Sequence, residues 1–324
     1  MMKAILLTGA AGFIGQKTAE KLLLSGNAVI GIDNMNEYYD VRLKKHRLAE
    51  LKGHDNFQFY KCDIEDIDEL DKIFGKHEIE SVINLAARAG VRYSMENPRV
   101  YMTTNAIGTL NLLEQMKKRA IKKMVLASTS SLYAGQKMPF SETLPVNTPI
   151  SPYAASKKAA EVMAYAYHYL YGMDISVVRY FTVYGPAGRP DMSIFRFIKW
   201  IDDGAPIKLF GDGTQSRDFT YVDDIADGTI SALKEIGYEI INLGGGKNPI
   251  SMLYIIKKIE VILGKKAGVD QKPFHEADMM ETWADIGKAW ELLKWKPAVD
   301  IDEGLERSVK WYRDNIGWLK DIKL

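Results

Sequence analysis

The sequence predicts an α/β fold: a doubly wound parallel sheet, with a smaller, discontinuous α/β lobe toward the C-terminus. Three observations predict it. Short apolar runs alternate with longer amphipathic stretches through residues 1–181. A glycine-spaced turn joins the first apolar run to the first amphipathic stretch. Beyond Phe181 the alternation loosens into segments punctuated by glycine and proline.

Ala4–Thr8, Ala28–Asp33, Phe57–Lys61, Val82–Ala86, Met124–Ser128 and Ile175–Phe181 read as buried strands, being short, apolar and rich in β-branched residues. Phe13–Ser25, Arg42–Leu51, Ile67–Phe74, Pro98–Arg119 and Pro152–Tyr171 read as helices between them. Strand–helix alternation of this kind builds a parallel sheet covered on both faces, whose ligand crevice lies at the carboxyl ends of the strands. A helix over Met192–Asp202, a strand over Ile207–Phe210, a loop over Gly211–Arg217, a helix over Val222–Lys234 and a strand over Glu239–Leu243 follow. Helices over Met252–Leu263, Ile286–Leu293 and Glu303–Asn315 close the chain. Residues 1–181 with about 218–245 are expected to form the main unit, and 182–217 with 246–324 the smaller lobe.

Composition narrows the function. The 324 residues include 47% hydrophobic ones, enough for a sizeable core, and the formal net charge is +1. That balance argues against nucleic acid, which demands a clear cationic excess, yet leaves room for a small anion held by local arginines. The basic clusters at Lys44–Arg47, Lys117–Arg119 with Lys122–Lys123, and Lys257–Lys258 read as solvated helix faces and ends. Cys62 is the sole cysteine and reads as a small buried residue at a strand end. With five scattered histidines, no metal site is expected. No apolar run approaches the length of a membrane span, and the expected setting is the cytoplasm.

Gly9, Gly12 and Gly15 follow the first strand and open the first helix. A Cβ there would block the turn and keep the backbone from a pyrophosphate, which the helix N-terminus would hold. Asp33 ends the second strand, where a carboxylate accepts hydrogen bonds from both ribose hydroxyls of NAD and repels the 2′-phosphate of NADP; no arginine directly after it offsets that repulsion. The context is that of a Rossmann-like NAD site, although a tight turn alone would also use glycine. Asp63 follows the third strand and could reach the adenine. Leu85, Ala86 and Ala87 end the fourth, where small residues serve either the cofactor or close helix–sheet packing. Phe13, Ile14, Asn34, Ile64, Asn105 and Tyr180 are assigned to the same cofactor site.

Tyr153 and Lys157 lie four residues apart on one helix, hence on one face. An ammonium beside the phenol, together with oxidised nicotinamide, would favour the phenolate and suit it to general base and acid work. Thr129, Ser130 and Ser131 follow the fifth strand, so their hydroxyls face the crevice or simply build a turn.

Together these residues resemble the extended short-chain dehydrogenase/reductases over essentially the whole chain. Further stretches carry the resemblance: Arg217-Asp-Phe-Thr-Tyr-Val-Asp-Asp224 and Thr282-Trp-Ala-Asp285. Within that family the chain is most similar to nucleotide-sugar 4-epimerases. Three stretches resemble those acting on UDP-glucuronate: 33–40, 87–94 and 179–192. The resemblance implies Tyr153, Lys157 and Thr129 as catalytic residues, Arg217 and Asp278 at the UDP, and Thr182 near the diphosphate or sugar. It makes Arg189, with Ser130 and Ser131, candidates for the sugar carboxylate, with Arg88 a further one. His275 departs from the pattern and has no assigned role. The implied reaction converts UDP-glucuronate to UDP-galacturonate. Tyr153 takes the 4-hydroxyl proton while C4 passes hydride to NAD, and hydride returns to the opposite face of C4. A UDP-glucose 4-epimerase is the nearest alternative; a decarboxylase lacks its acid at Ser130 and Ser131, and a non-catalytic NAD-binding protein would not need the Tyr–Lys–Thr set. The resemblance also implies a homodimer, with Pro98–Arg119 and Pro152–Tyr171 pairing as a four-helix bundle.

Overall fold

The computed structural model describes residues 3–247, 249–274 and 278–324. Strand β1 (Ala4–Thr8) leads into α1 (Phe13–Leu24), β2 (Ala28–Asp33) into α2 (Val41–Leu51), and β3 (Phe57–Lys61) into α3 (Ile67–Lys76). Strand β4 (Ile79–Asn84) is followed by α4 (Val91–Glu96), α5 (Pro98–Tyr101) and α6 (Gly108–Lys118), the last two joined by a π-helical stretch, Met102–Ile107. Next come β5 (Lys123–Thr129), α7 (Pro152–Tyr171) and β6 (Asp174–Tyr180). The remainder runs β7 (Thr182–Tyr184), α8 (Ser193–Asp203), β8 (Ile207–Phe210), β9 (Ser216–Arg217), β10 (Phe219–Tyr221), α9 (Val222–Ser231) and β11 (Tyr238–Leu243). It ends with β12 (Ile250–Ser251), α10 (Met252–Leu263), β13 (Val269–Lys272), α11 (Gly287–Leu293), α12 (Ile301–Asp314) and α13 (Ile316–Leu319).

Seven strands form one parallel sheet in the order β11-β6-β5-β4-β1-β2-β3. Alternate side chains enter opposite layers, as the two-residue period of a strand requires. Leu6, Ile30, Met124, Leu126 and Ile175 join one core, while Leu7, Val29, Val125, Ala127 and Val178 join the other. Strand order reverses between β1 and β4, so loops diverge there and leave a crevice. A third core gathers α8, α10 and α12 through Phe195, Ile198, Ile255, Ile259, Leu305 and Val309.

Several expectations are corrected. The helix expected over Pro98–Arg119 is interrupted by the π-helical stretch, and α4 was not foreseen. The fourth strand lies earlier than expected: Leu85–Ala87 leave the sheet, and the Ala86 N–H donates to the Thr8 hydroxyl at 3.1 Å. The Lys44–Arg47 cluster is not a solvated face, since Lys44 and Arg47 are both buried. Lys123 is buried too, donating to Asp174, to the Ser176 hydroxyl and to the Lys234 carbonyl. Lys117, Lys118 and Lys258 do form surface ion pairs, with Glu114, Asp71 and Asp302. Among the described residues no helix is long and apolar enough to cross a membrane.

Candidate active site

A cleft of about 770 Å³ opens at the carboxyl ends of the strands. The turn after β1 forms one wall. Gly9 has φ +72°, and a Cβ on it would stand 2.8 Å from the Ala86 nitrogen, while one on Gly15 would collide with the Gly9 carbonyl. That closeness brings the start of α1 against the strand ends, and no side chain caps the helix there. Gly12, Phe13, Ile14 and Gly15 therefore present an uncapped helix N-terminus to the cleft, suited to an anionic pyrophosphate.

Asp33 is buried at the end of β2. It accepts the N–H of Ala11 at 3.2 Å and of Met35 at 2.8 Å. The Lys44 ammonium approaches it to 3.4 Å. Asn34 donates to Asp63 at 2.7 Å, and Ile64 completes that side of the cleft. Leu85, Ala86 and Ala87 line the floor, and Tyr180 contributes its ring while its hydroxyl pairs with that of Thr229 at 2.7 Å. These groups fit NAD: an anion site, a paired-oxygen acceptor for the ribose and an apolar floor. Asn105 does not line the cleft. Its side chain is spent on the Arg88 N–H and carbonyl and on the Ser156 hydroxyl, so it holds the 86–88 segment in place from behind. Cys62 lies at the end of β3; burial pushes its thiol up to about 11, so it stays protonated and unreactive.

Tyr153 reaches the cleft from the first turn of α7. Ser151 accepts the Ala154 N–H at 3.2 Å and Pro152 occupies the first turn, so this helix start is well defined. Burial raises the Tyr153 pKa, while the Thr129 hydroxyl beside it and the Arg189 charge pull it down. Lys157 lies one turn on and is buried, its Nζ donating to the Ala127 carbonyl at 3.0 Å. Burial depresses its pKa to about 8, opposed by Glu161. Tyr153 and Lys157 were expected on one helix face; both line the cleft, and the ammonium is anchored on β5. Ser130 and Ser131 follow Thr129, whose hydroxyl accepts the Ser131 N–H at 3.1 Å.

The far half of the cleft is rich in arginine: Arg88, Arg92, Arg189, Arg196 and Arg217 all line it, on a chain of net charge only +1. Arg189 donates through two nitrogens to Asp191. Burial works against its charge, but Asp191 outweighs burial and its pKa sits above the ordinary value. The guanidinium also stands 5.7 Å from the Tyr38 ring. Burial lowers the pKa of Arg217, which donates to the carbonyls of Ser216 and Met280. The buried Nε atoms of Arg88 and Arg196 have no partner among the described residues. Asp278 accepts from Arg92 at 2.6 Å, and that guanidinium stacks 3.9 Å above the Phe210 ring. Thr182 opens β7 on the same wall. His275 lies outside the described residues. No group of three or more potential metal-ligating side chains occurs among the described residues.

Sequence reasoning missed Lys44, Tyr38, Arg92, Asp191, Arg196 and Phe210, all in the cleft. For Lys44 a signal existed: with Arg47, Leu48 and Leu51 it falls on one helical face, the buried one.

The model of the NAD dependent epimerase/dehydratase family matches residues 5–244. The chain belongs to that family. Among this family's members, a UDP-glucuronate 4-epimerase of Thermodesulfobacterium geofontis is 62% identical over 319 residues, covering 98% of this chain and 99% of the relative. The structure of UDP-glucuronic acid 4-epimerase from Bacillus cereus, in complex with UDP-glucuronic acid and NAD, is similar with a TM-score of 0.90 at 40% identity, covering 96% of this chain and 99% of that one. A UDP-glucose 4-epimerase from Thermotoga maritima, solved with UDP-glucose, gives 0.89 at 33% identity, covering 97% and 99%.

Proposed function

We propose that this epimerase/dehydratase family member is an NAD-dependent UDP-glucuronate 4-epimerase. One observation carries the choice of sugar: the Arg189 guanidinium, aligned by Asp191, lines the same cleft as Tyr153. A cation beside the base that deprotonates C4–OH suits a sugar whose C5 bears a carboxylate. The names and bound ligands of the relatives support the same reading.

Bound NAD⁺ supplies the hydride acceptor at C4 and the donor that restores it on the other face. The chain's own residues do the rest. Tyr153 takes the 4-hydroxyl proton and later returns one, its ionisation helped by the Thr129 hydroxyl and the nearby cations. Arg217 holds the diphosphate and Asp278 the ribose, so UDP stays anchored while the sugar turns. For that, Asp278 must release Arg92, which becomes free to face the diphosphate. Arg189, pre-aligned by Asp191, and the Ser130 and Ser131 hydroxyls grip the carboxylate. Held in this way, the C5–carboxylate bond stays out of alignment with the 4-ketone, which opposes loss of CO₂. Thr182 and Arg88 complete the sugar pocket. Neither Ser130 nor Ser131 can act as a carboxylic acid, so elimination chemistry lacks its proton donor.

The functional unit is a homodimer. Val162, Tyr165, Tyr169 and Leu170 are exposed on α7, and Met102 and Ile107 are exposed on the neighbouring π-helical stretch. An apolar surface of this kind supports pairing as a four-helix bundle.

A panel of UDP-glucuronate, UDP-glucose and UDP-N-acetylglucosamine, with products separated by chromatography and CO₂ monitored, tests the assignment. The expected result is the C4 epimer of UDP-glucuronate without CO₂, and a loss of about 10- to 100-fold in kcat/KM on UDP-glucuronate for Arg189→Ala. Faster turnover of UDP-glucose, or unaltered kinetics in that variant, would overturn it.

A further inference from the structure

The adenosine end of the cleft contains a buried cation. Lys44 projects from the inner face of α2, its side chain 7% exposed against 6% for Asp33. Its Nζ has one hydrogen-bond acceptor among the described residues, Asp33 Oδ1 at 3.4 Å, a loose contact. An ammonium has three N–H donors, so two are left over, and the group lines the cleft. The Tyr39 ring, 5.6 Å from Nζ, adds a cation–π contact but no acceptor, so those two donors await a ligand that completes the shell.

The neighbouring cation is in a different state. Arg47, also buried, places all five of its donors: on the carbonyls of Ala187, Gly188 and Ala11 and on the Tyr39 hydroxyl. It has nothing to spare for a ligand. Asp33 is likewise fixed, by the N–H groups of Ala11 and Met35. What a ribose meets at the end of β2 is therefore not a lone carboxylate but a carboxylate and an ammonium side by side.

This bears on cofactor choice. A lone Asp33 would repel a 2′-phosphate, and no arginine follows it to offset the charge. The offset comes instead from eleven residues further along, on the next helix. We propose that Lys44 renders the adenosine-ribose subsite tolerant of a 2′-phosphate, so that the protein takes up NADP as well as NAD. With NAD, Lys44 holds Asp33 and shares the ribose hydroxyls. With NADP, its two spare donors meet the phosphate oxygens and screen them from Asp33. The inference rests on reading the cleft as a dinucleotide site, not on the sugar or the reaction.

The test is a competition. Wild type, Lys44→Met and Lys44→Arg are stripped of resident dinucleotide, reloaded from an equimolar mixture of NAD⁺ and NADP⁺, desalted and denatured, and the released dinucleotides are quantified by mass spectrometry. Wild type is expected to release both. In Lys44→Met the NADP-to-NAD ratio should fall by about tenfold or more, the size of a lost charge-assisted contact, with NAD still bound. Lys44→Arg should keep the wild-type ratio. Wild type that releases NAD alone overturns the proposal, as does an unchanged ratio in Lys44→Met. Should that variant emerge empty, Lys44→Gln takes its place under the same two criteria. Wild type that releases neither dinucleotide would instead overturn the reading of the cleft itself.

Discussion

Tyr153 poses a problem that its neighbours must solve. Burial raises its pKa, and a phenol held protonated cannot take a proton from a sugar hydroxyl. The lowering influences within the protein are the Thr129 hydroxyl and the Arg189 charge. Lys157 is the group that titrates near working pH, being depressed to about 8 by burial. Below that value it is an ammonium and favours the phenolate; above it the charge is lost. Turnover of UDP-glucuronate should therefore fall as pH rises through about 8. In Lys157→Arg, whose cation does not titrate in that range, the alkaline limb should move beyond pH 10. A kcat–pH profile with the limb at the same place in both proteins would assign it to another group. At this scale the sequence showed that Tyr153 and Lys157 share one helix a turn apart, and both line the cleft. It could not reveal the anchor on the Ala127 carbonyl, since that partner arrives through β5 rather than through local spacing. Nor did it show Asp191 aligning Arg189, a contact made by the loop's shape.

Helix α7 carries both side chains proposed for the proton transfer, so its start matters more than its length. The Ser151 hydroxyl is buried and satisfies the Ala154 N–H, which is itself buried. Ser151→Ala should cost about 1–2 kcal/mol of stability, the upper part of the range for a cap whose amide cannot turn to water. A chemical-denaturation midpoint equal to that of wild type would show that the cap contributes nothing. The helix start at Pro152 was readable from sequence, as were the long strands of the sheet, whereas the Ser151 cap was not read. Elements of two or three residues were not: β7, β9, β10 and β12 are too short to show an alternation. The π-helical stretch escaped for a related reason. Its residues continue a helical pattern, and the widened turn is recognisable only by what it achieves, the side chain of Asn105 reaching the Arg88 backbone.

In the whole molecule, distant segments converge on one cleft. The stretch around Arg217 is held by contacts from far along the chain: Asp218, its carboxyl pushed up to about 6 by burial, accepts the N–H of Ala284 at 2.7 Å. Such contacts connect residues that sequence periodicity treats as unrelated, so the arrangement beyond β6 was less legible than that of the sheet. Charge shows the same limit. A net charge of +1 averages away the five arginines that the fold gathers around the cleft. The exposed apolar face of α7 belongs to this scale as well. If the proposed dimer forms through this face, Val162→Glu combined with Tyr169→Glu should give a monomer in sedimentation velocity, because burying two like charges against their symmetry mates is unfavourable. A sedimentation coefficient unchanged from wild type would move the interface elsewhere.

The central claim is that Tyr153 handles the proton at C4 beside a bound dinucleotide. Tyr153→Phe removes one hydroxyl and little else. The account predicts a folded protein that retains its NAD, measured as dinucleotide released on denaturation, yet converts UDP-glucuronate at least about 10²-fold more slowly. Retained dinucleotide with turnover close to that of wild type would contradict it.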